Sequence, residues 1–246
     1  MSSETGHCVN QSNFGRLVDF CVSKGGAYQP TLIVITLPKI QAKKITIDTS
    51  MDAFLDKAAI WGDAVNIREA AYAPVNTLMR QVRSAVDVSD VLDEFKKDVH
   101  GVVNEILGVR ATPKMKMMPE NPSVPTDESI KQISAAQTGF DNKLGNVKKL
   151  VAMLKVQTNY APNENDIKLA TLQALVTDIV NKNDKVGETA PPMLYGRDDR
   201  DKELYAANDG AFDLASKIKK YFKAAFGPSS NEYKHIAKLK FVKLAK

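Results

Sequence analysis

Residues 17–30 read LVDFCVSKGGAYQP and residues 150–162 read LVAMLKVQTNYAP, so one frame is written twice with few shared letters. The register persists along the chain. Tyr28 and Tyr160 are 132 positions apart, Arg68 and Arg200 again 132, and Tyr72 and Tyr205 differ by 133. In each half an apolar helix face (Leu17, Val18 or Leu150, Val151) leads into Tyr-x-Pro (Tyr28, Pro30 or Tyr160, Pro162). A periodic apolar segment, an Arg and a Tyr-Ala pair follow, then an amphipathic helix, a break near Ser89 or Gly227 to Ser230, and a last helix bearing Phe95 or Tyr233. A unit of roughly 130 residues is too long for a solenoid repeat and long enough to be a bundle by itself. The expectation is an all-α protein made by internal duplication, two related antiparallel helical bundles: 1–110, a Pro-rich linker at 111–126, and 127–246.

The local signals are helical. Ile130, Ile133, Phe140, Leu144, Val147, Val151 and Leu154 follow an alternating three-four spacing over Thr126 to Lys155, opened by Pro125, Thr126 and the acidic pair Asp127 and Glu128. Asn163 with Asp166 opens a further helix bearing Leu169, Leu172, Val176 and Ile179, and Ser229 with Glu232 has capping-box spacing for the last one. In the first half Ile67, Ala71, Val75, Leu78, Val82 and Ala85 form a stripe that Pro74 should kink or restart. Phe95, Val99, Val102 and Ile106 form the next, ending at Gly108 as its C-cap. Residues 31–49, TLIVITLPKIQAKKITIDT, alternate like a strand and are rich in β-branched residues, while the duplicate segment is plainly helical. Helix is the reading adopted, with a short hairpin as its alternative.

A chain of 246 residues can bury a substantial core without staples. Its start lacks a basic segment followed by an apolar one, and the longest apolar run, Thr31 to Leu37, falls far short of a membrane span. The two cysteines, Cys8 and Cys21, have no metal or redox spacing, so a cytoplasmic protein is expected, with the Asn-Gln-Ser sequon at Asn10 unused. Cys21 shares an apolar helix face with Phe14, Leu17 and Val18, which makes it a packing residue.

Searches for chemistry find little. There is no phosphate-binding loop, dinucleotide fingerprint, His-Glu-x-x-His or Cys-x-x-Cys, so neither a cofactor nor a metal is expected. His7, His100 and His235 are scattered and read as solvated or capping side chains, and Ser216 with Lys219 is an isolated spacing match. The densest polar cluster is GRDDRDKE, Gly196 to Glu203, which could hold a divalent ion or do acid-base work. Arginines among its acids disfavour a cation, and a solvated helix start with intrahelical ion pairs is the simpler account. Tyr28, Tyr72, Tyr160 and Tyr205 suit helix junctions, each ring packed with its hydroxyl bonded to nearby backbone.

Charge carries the one directional signal. Residues 215–246 hold nine lysines against Glu232 alone, a surplus of eight, so the rest of a chain of net +5 is net −3. Lys217, Lys219, Lys220, Lys223, Lys234, Lys238, Lys240 and Lys243 are the candidate partner-binding residues. Lysine without arginine suits phosphates or an acidic surface better than base-specific reading. The interleaved Tyr221, Phe222, Phe226, Tyr233 and Phe241 fall at helical spacing, as core residues would. The expected function is therefore a non-enzymatic structural or scaffolding protein that self-associates. Its alternative is a binding module whose lysine-rich end contacts nucleic acid or another acidic partner.

Overall fold

A computed structural model describes residues 4–109 and 139–243, and every regular element among them is helical, with no strand. In chain order the α-helices are α1 (Glu4–Ser23), α2 (Leu37–Tyr72), α3 (Val75–Asp87), α4 (Asp93–Leu107), α5 (Phe140–Lys155), α6 (Leu169–Tyr205), α7 (Ala211–Phe226) and α8 (Asn231–Ala237). Short 3-10 turns at Gly25–Ala27, Ile33–Ile35 and Asn165–Ile167 precede the two long helices. The expected linker at 111–126 and the first part of the helix expected from Thr126, with Ile130 and Ile133, lie outside the described residues. Within them that helix is α5, whose Leu144, Val147, Leu150, Val151 and Leu154 are buried.

Residues 31–49 settle as a turn followed by helix. Ile33–Ile35 is the 3-10 turn, and from Leu37 onward Ile40, Ile47 and Met51 are buried at helical spacing while Ile45 is 67% exposed. A strand would have buried alternate residues instead. Pro74 separates α2 from α3, and Gly108 caps α4 at φ 67°, a left-handed geometry that glycine adopts without steric cost. The last helix is capped one residue later than its spacing suggests: Ser230 Oγ accepts from the Tyr233 N–H at 3.1 Å.

The larger departure is α6. It runs 37 residues through Pro191 and Pro192, where a break is the natural reading. Neither proline can donate to the carbonyl four residues back, and the ring crowds that turn. The GRDDRDKE cluster therefore occupies the last third of a long helix and not a helix start.

Two compact units result, grouped along other lines than the sequence ranges 1–110 and 127–246. One joins residues 1–63 with 187–246; the other is continuous, Ala64–Val186. Both boundaries fall inside the long helices, so each unit draws helices from both halves of the sequence. Each unit has its own core. In the first, Phe14, Leu17, Val18 and Cys21 of α1 pack with Ile40, Ile47 and Met51 of α2 and with Leu214, Ala215, Ile218 and Phe222 of α7. In the second, Val75, Met79, Val82 and Val86 of α3 meet Val99, Val102, Val103 and Ile106 of α4 and the inner faces of α5 and early α6.

Candidate interaction surface

The lysine-rich end belongs to the discontinuous unit, and its backbone is anchored. After α8 the chain runs back along α1, where the buried Asn10 side chain bonds both main-chain polar groups of one residue: its Nδ2 donates to the Val242 carbonyl at 2.7 Å, and its Oδ1 accepts from the Val242 N–H at 2.9 Å. Asn13, one turn on, donates to the Lys240 carbonyl at 2.7 Å. An asparagine amide carries a donor and an acceptor that match the C=O and N–H of a single residue, and with Asn13 adding a bond one turn on, the helix holds this segment in place. Asn10 is thus engaged in the fold and closed to modification at its sequon.

Behind Asn10 lies a polar network that sequence reading missed. Tyr205 Oη lies 3.0 Å from His7 Nδ1 and 3.0 Å from Asn10 Nδ2. His7, expected at the surface, is 2% exposed. Arg200, from the acidic cluster, is 1% exposed; its guanidinium lies over the Phe54 ring, 4.3 Å from the centroid, and its Nη2 and Nε donate to Asp201 at 2.8 and 3.0 Å. Its counterpart Arg68 lies over Phe140 at 4.0 Å. Both arginines therefore use an aromatic face, a role the spacing alone does not disclose. Of the four tyrosines, Tyr28 and Tyr160 bond nearby backbone as their positions suggest, Tyr72 bonds backbone distant in sequence, and Tyr205 bonds side chains instead. Tyr28 donates to the Ile35 carbonyl at 2.6 Å, Tyr160 to that of Ile167 at 2.7 Å and Tyr72 to that of Phe140 at 2.9 Å.

The eight candidate lysines divide. Lys217 donates to the Asn208 carbonyl at 2.7 Å, and Lys219 donates to the Leu239 carbonyl and sits over the Phe241 ring. Burial holds the Lys219 ammonium below the ordinary lysine range. Lys219 thus ties the tail to α7, and Lys217 ties α7 to the corner that precedes it. Lys220, Lys223, Lys234, Lys238, Lys240 and Lys243 are exposed, and no described acid forms an ion pair with any of them. The interleaved aromatics belong to the core: Phe222 is fully buried, and Tyr221, Phe226, Tyr233 and Phe241 pack against the same cluster.

The same unit carries a surface of opposite sign. Asp52, Asp56 and Asp63 are exposed along one stripe of α2 at spacings of four and seven, beside exposed Ile45 and Ile60. A cleft of about 440 Å³ lies alongside, lined by Thr46, Ser50, Lys57, Asp199, Lys202 and Glu203 among others. Its Glu203 is paired with the half-buried Lys43 at 2.7 Å. In the continuous unit, a more open cavity of about 830 Å³ lies between α3 and the segment after α5. No cluster of metal-ligating side chains occurs among the described residues, and no helix among them is long and apolar enough to cross a membrane.

Comparison with family models, with curated proteins and with solved structures yields no match for this chain.

Proposed function

We propose that this is a non-enzymatic, cytoplasmic scaffolding protein, built by duplication of a unit of roughly 130 residues, that self-associates through the lysine-bearing C-terminal segment of one copy and the Asp52–Asp56–Asp63 stripe of the next. The observation that carries the reading is the anchored tail. Six exposed, unpaired lysines sit on or beside backbone that Asn10, Asn13 and Lys219 fix in place, so little ordering entropy remains to oppose binding. The two patches differ, so the contact is head-to-tail and extends unless rotation closes it into a ring. The duplication is supported by the matched tyrosine bonds at Tyr28 and Tyr160 and by the repeated order of turn, long helix and two further helices.

The test is the mass distribution by light scattering over a wide concentration range, with negative-stain imaging of the same samples. Self-association is expected to rise with concentration, to be lost in Lys238→Glu/Lys240→Glu, and to return when that variant is mixed with Asp52→Lys/Asp56→Lys. A strict monomer at high concentration sinks the reading. If the monomer instead binds nucleic acid, with affinity falling steeply as salt is added, the same lysines serve phosphates and the alternative takes its place.

A further inference from the structure

Two helix-turn contacts, one in each unit, are built on the same plan and differ at one side chain. Four of the five buried residues of α7, Ala211, Ala215, Ile218 and Phe222, have the spacing of the buried residues of α3, Val75, Met79, Val82 and Val86; the fifth, Leu214, falls at the position of the partly buried Leu78. Each helix packs against a segment in which a tyrosine hydroxyl donates to the carbonyl seven residues on. Matching the inward positions pairs Tyr221 with Ala85. The Tyr221 ring stands edge-on to that of Tyr28, centroids 5.1 Å apart, and its hydroxyl accepts from the Gln29 N–H at 2.9 Å. In the other unit the residue after the junction tyrosine is Ala161, and no described residue accepts from its N–H. Where α7 presents a phenol ring, α3 presents a methyl group, and the cavity of about 830 Å³ opens there; Ala85, Val88, Ala161 and Ile167 are its apolar patch within a mostly polar rim that includes Arg80 and Glu164.

We propose that this cavity is a binding site for a phenol group, its ring over the Ala85 methyl and its hydroxyl accepting from the Ala161 N–H. The reading does not depend on the lysine contact, and either can fail alone. Two sources share this chemistry: a free small phenol, or the tyrosyl side chain of a second copy, for which Tyr195, 67% exposed on α6, is available.

The probe is p-cresol, titrated into the full chain while the backbone amide of Ala161 is followed by NMR. Saturable binding in the millimolar range is expected, with toluene bound roughly five- to tenfold more weakly because it leaves the amide without an acceptor. Ala85→Tyr should abolish p-cresol binding by placing its own ring in the cavity. Absence of a saturable shift at Ala161 overturns the proposal, as does equal affinity for toluene or full p-cresol binding in a folded Ala85→Tyr variant. The mass distribution with saturating p-cresol separates the sources. Dissociation of assemblies assigns the site to a second copy's tyrosine, and an unchanged distribution assigns it to a free phenol.

Discussion

Cys21 shows how a single side chain sets a condition on the whole fold. It lies fully buried against Tyr28, and burial pushes its thiol from an ordinary value of 9.0 up to about 12. Burial raises Tyr28 still further and takes Tyr160 to about 12. All three are neutral acids in the native state whose protons are lost more readily from the unfolded chain. Their contribution is complete below the unfolded pKa and drains away as pH rises through it, because above that point the unfolded state binds fewer protons. Thermal unfolding should therefore show stability falling above pH 9, at about 1.4 kcal/mol per pH unit for Cys21 alone and more steeply above pH 10 as the tyrosines join. Cys21→Ala should flatten the stretch between pH 9 and 10; an unchanged slope there would assign the loss elsewhere. The burial of Cys21 was legible, since Phe14, Leu17 and Val18 mark its helix face. That of His7, Asn10 and Arg200 was not, because their partners, Tyr205, the Val242 peptide and the Phe54 ring, are distant in sequence and no periodicity points to them.

Element boundaries were readable wherever a local steric rule decides them. Gly108 and Pro74 end or begin helices because one tolerates positive φ and the other lacks a donor. Pro191 and Pro192 show where such rules stop, since helix continues through both when its two ends are held in separate cores. The α6–α7 corner is held by a further close approach. Asn208 takes a left-handed φ of 70°, its N–H donates to Asp213 at 2.8 Å, and Gly210 presses on the preceding turn. A Cβ on Gly210 would meet the backbone N and O of Ala206 at 2.6 and 2.7 Å. Backbone cannot swing aside as a lysine tip can. Gly210→Ala should cost about 1–3 kcal/mol in denaturant unfolding. Gly196→Ala, whose nearest neighbour is the flexible Lys57 side chain at 2.9 Å, should cost less. Equal losses would mean that the corner yields more freely than its geometry implies.

At the scale of the molecule, what the sequence left hidden is which helices share a core. Periodicity marks inward faces but not the faces they meet, so a repeated sequence suggests two linear bundles, whereas compactness joins 1–63 with 187–246 in one unit and keeps 64–186 as the other. Fragments test this directly. Residues 64–186 expressed alone contain every buried member of their core and should unfold cooperatively on heating. Residues 1–110 keep α1 without α7, and their α1 should stay unprotected from amide exchange until a fragment carrying 187–246 is supplied. Cooperative unfolding of 1–110 by itself would restore the linear division.

The discontinuous unit also bears on how the chain is made. The apolar face of α1 leaves the ribosome well before its partners on α7, which are translated some 190 residues later. At about 5–20 residues per second that interval is roughly 10–40 s, long against the time a helical bundle needs to form. During it the middle unit can finish, while Phe14, Leu17 and Val18 have only the α2 part of their core, Ile40, Ile47 and Met51, to cover them. Synthesis thus leaves a half-covered apolar helix on every nascent chain, a standing target for chaperones and for the same helix on a neighbouring ribosome.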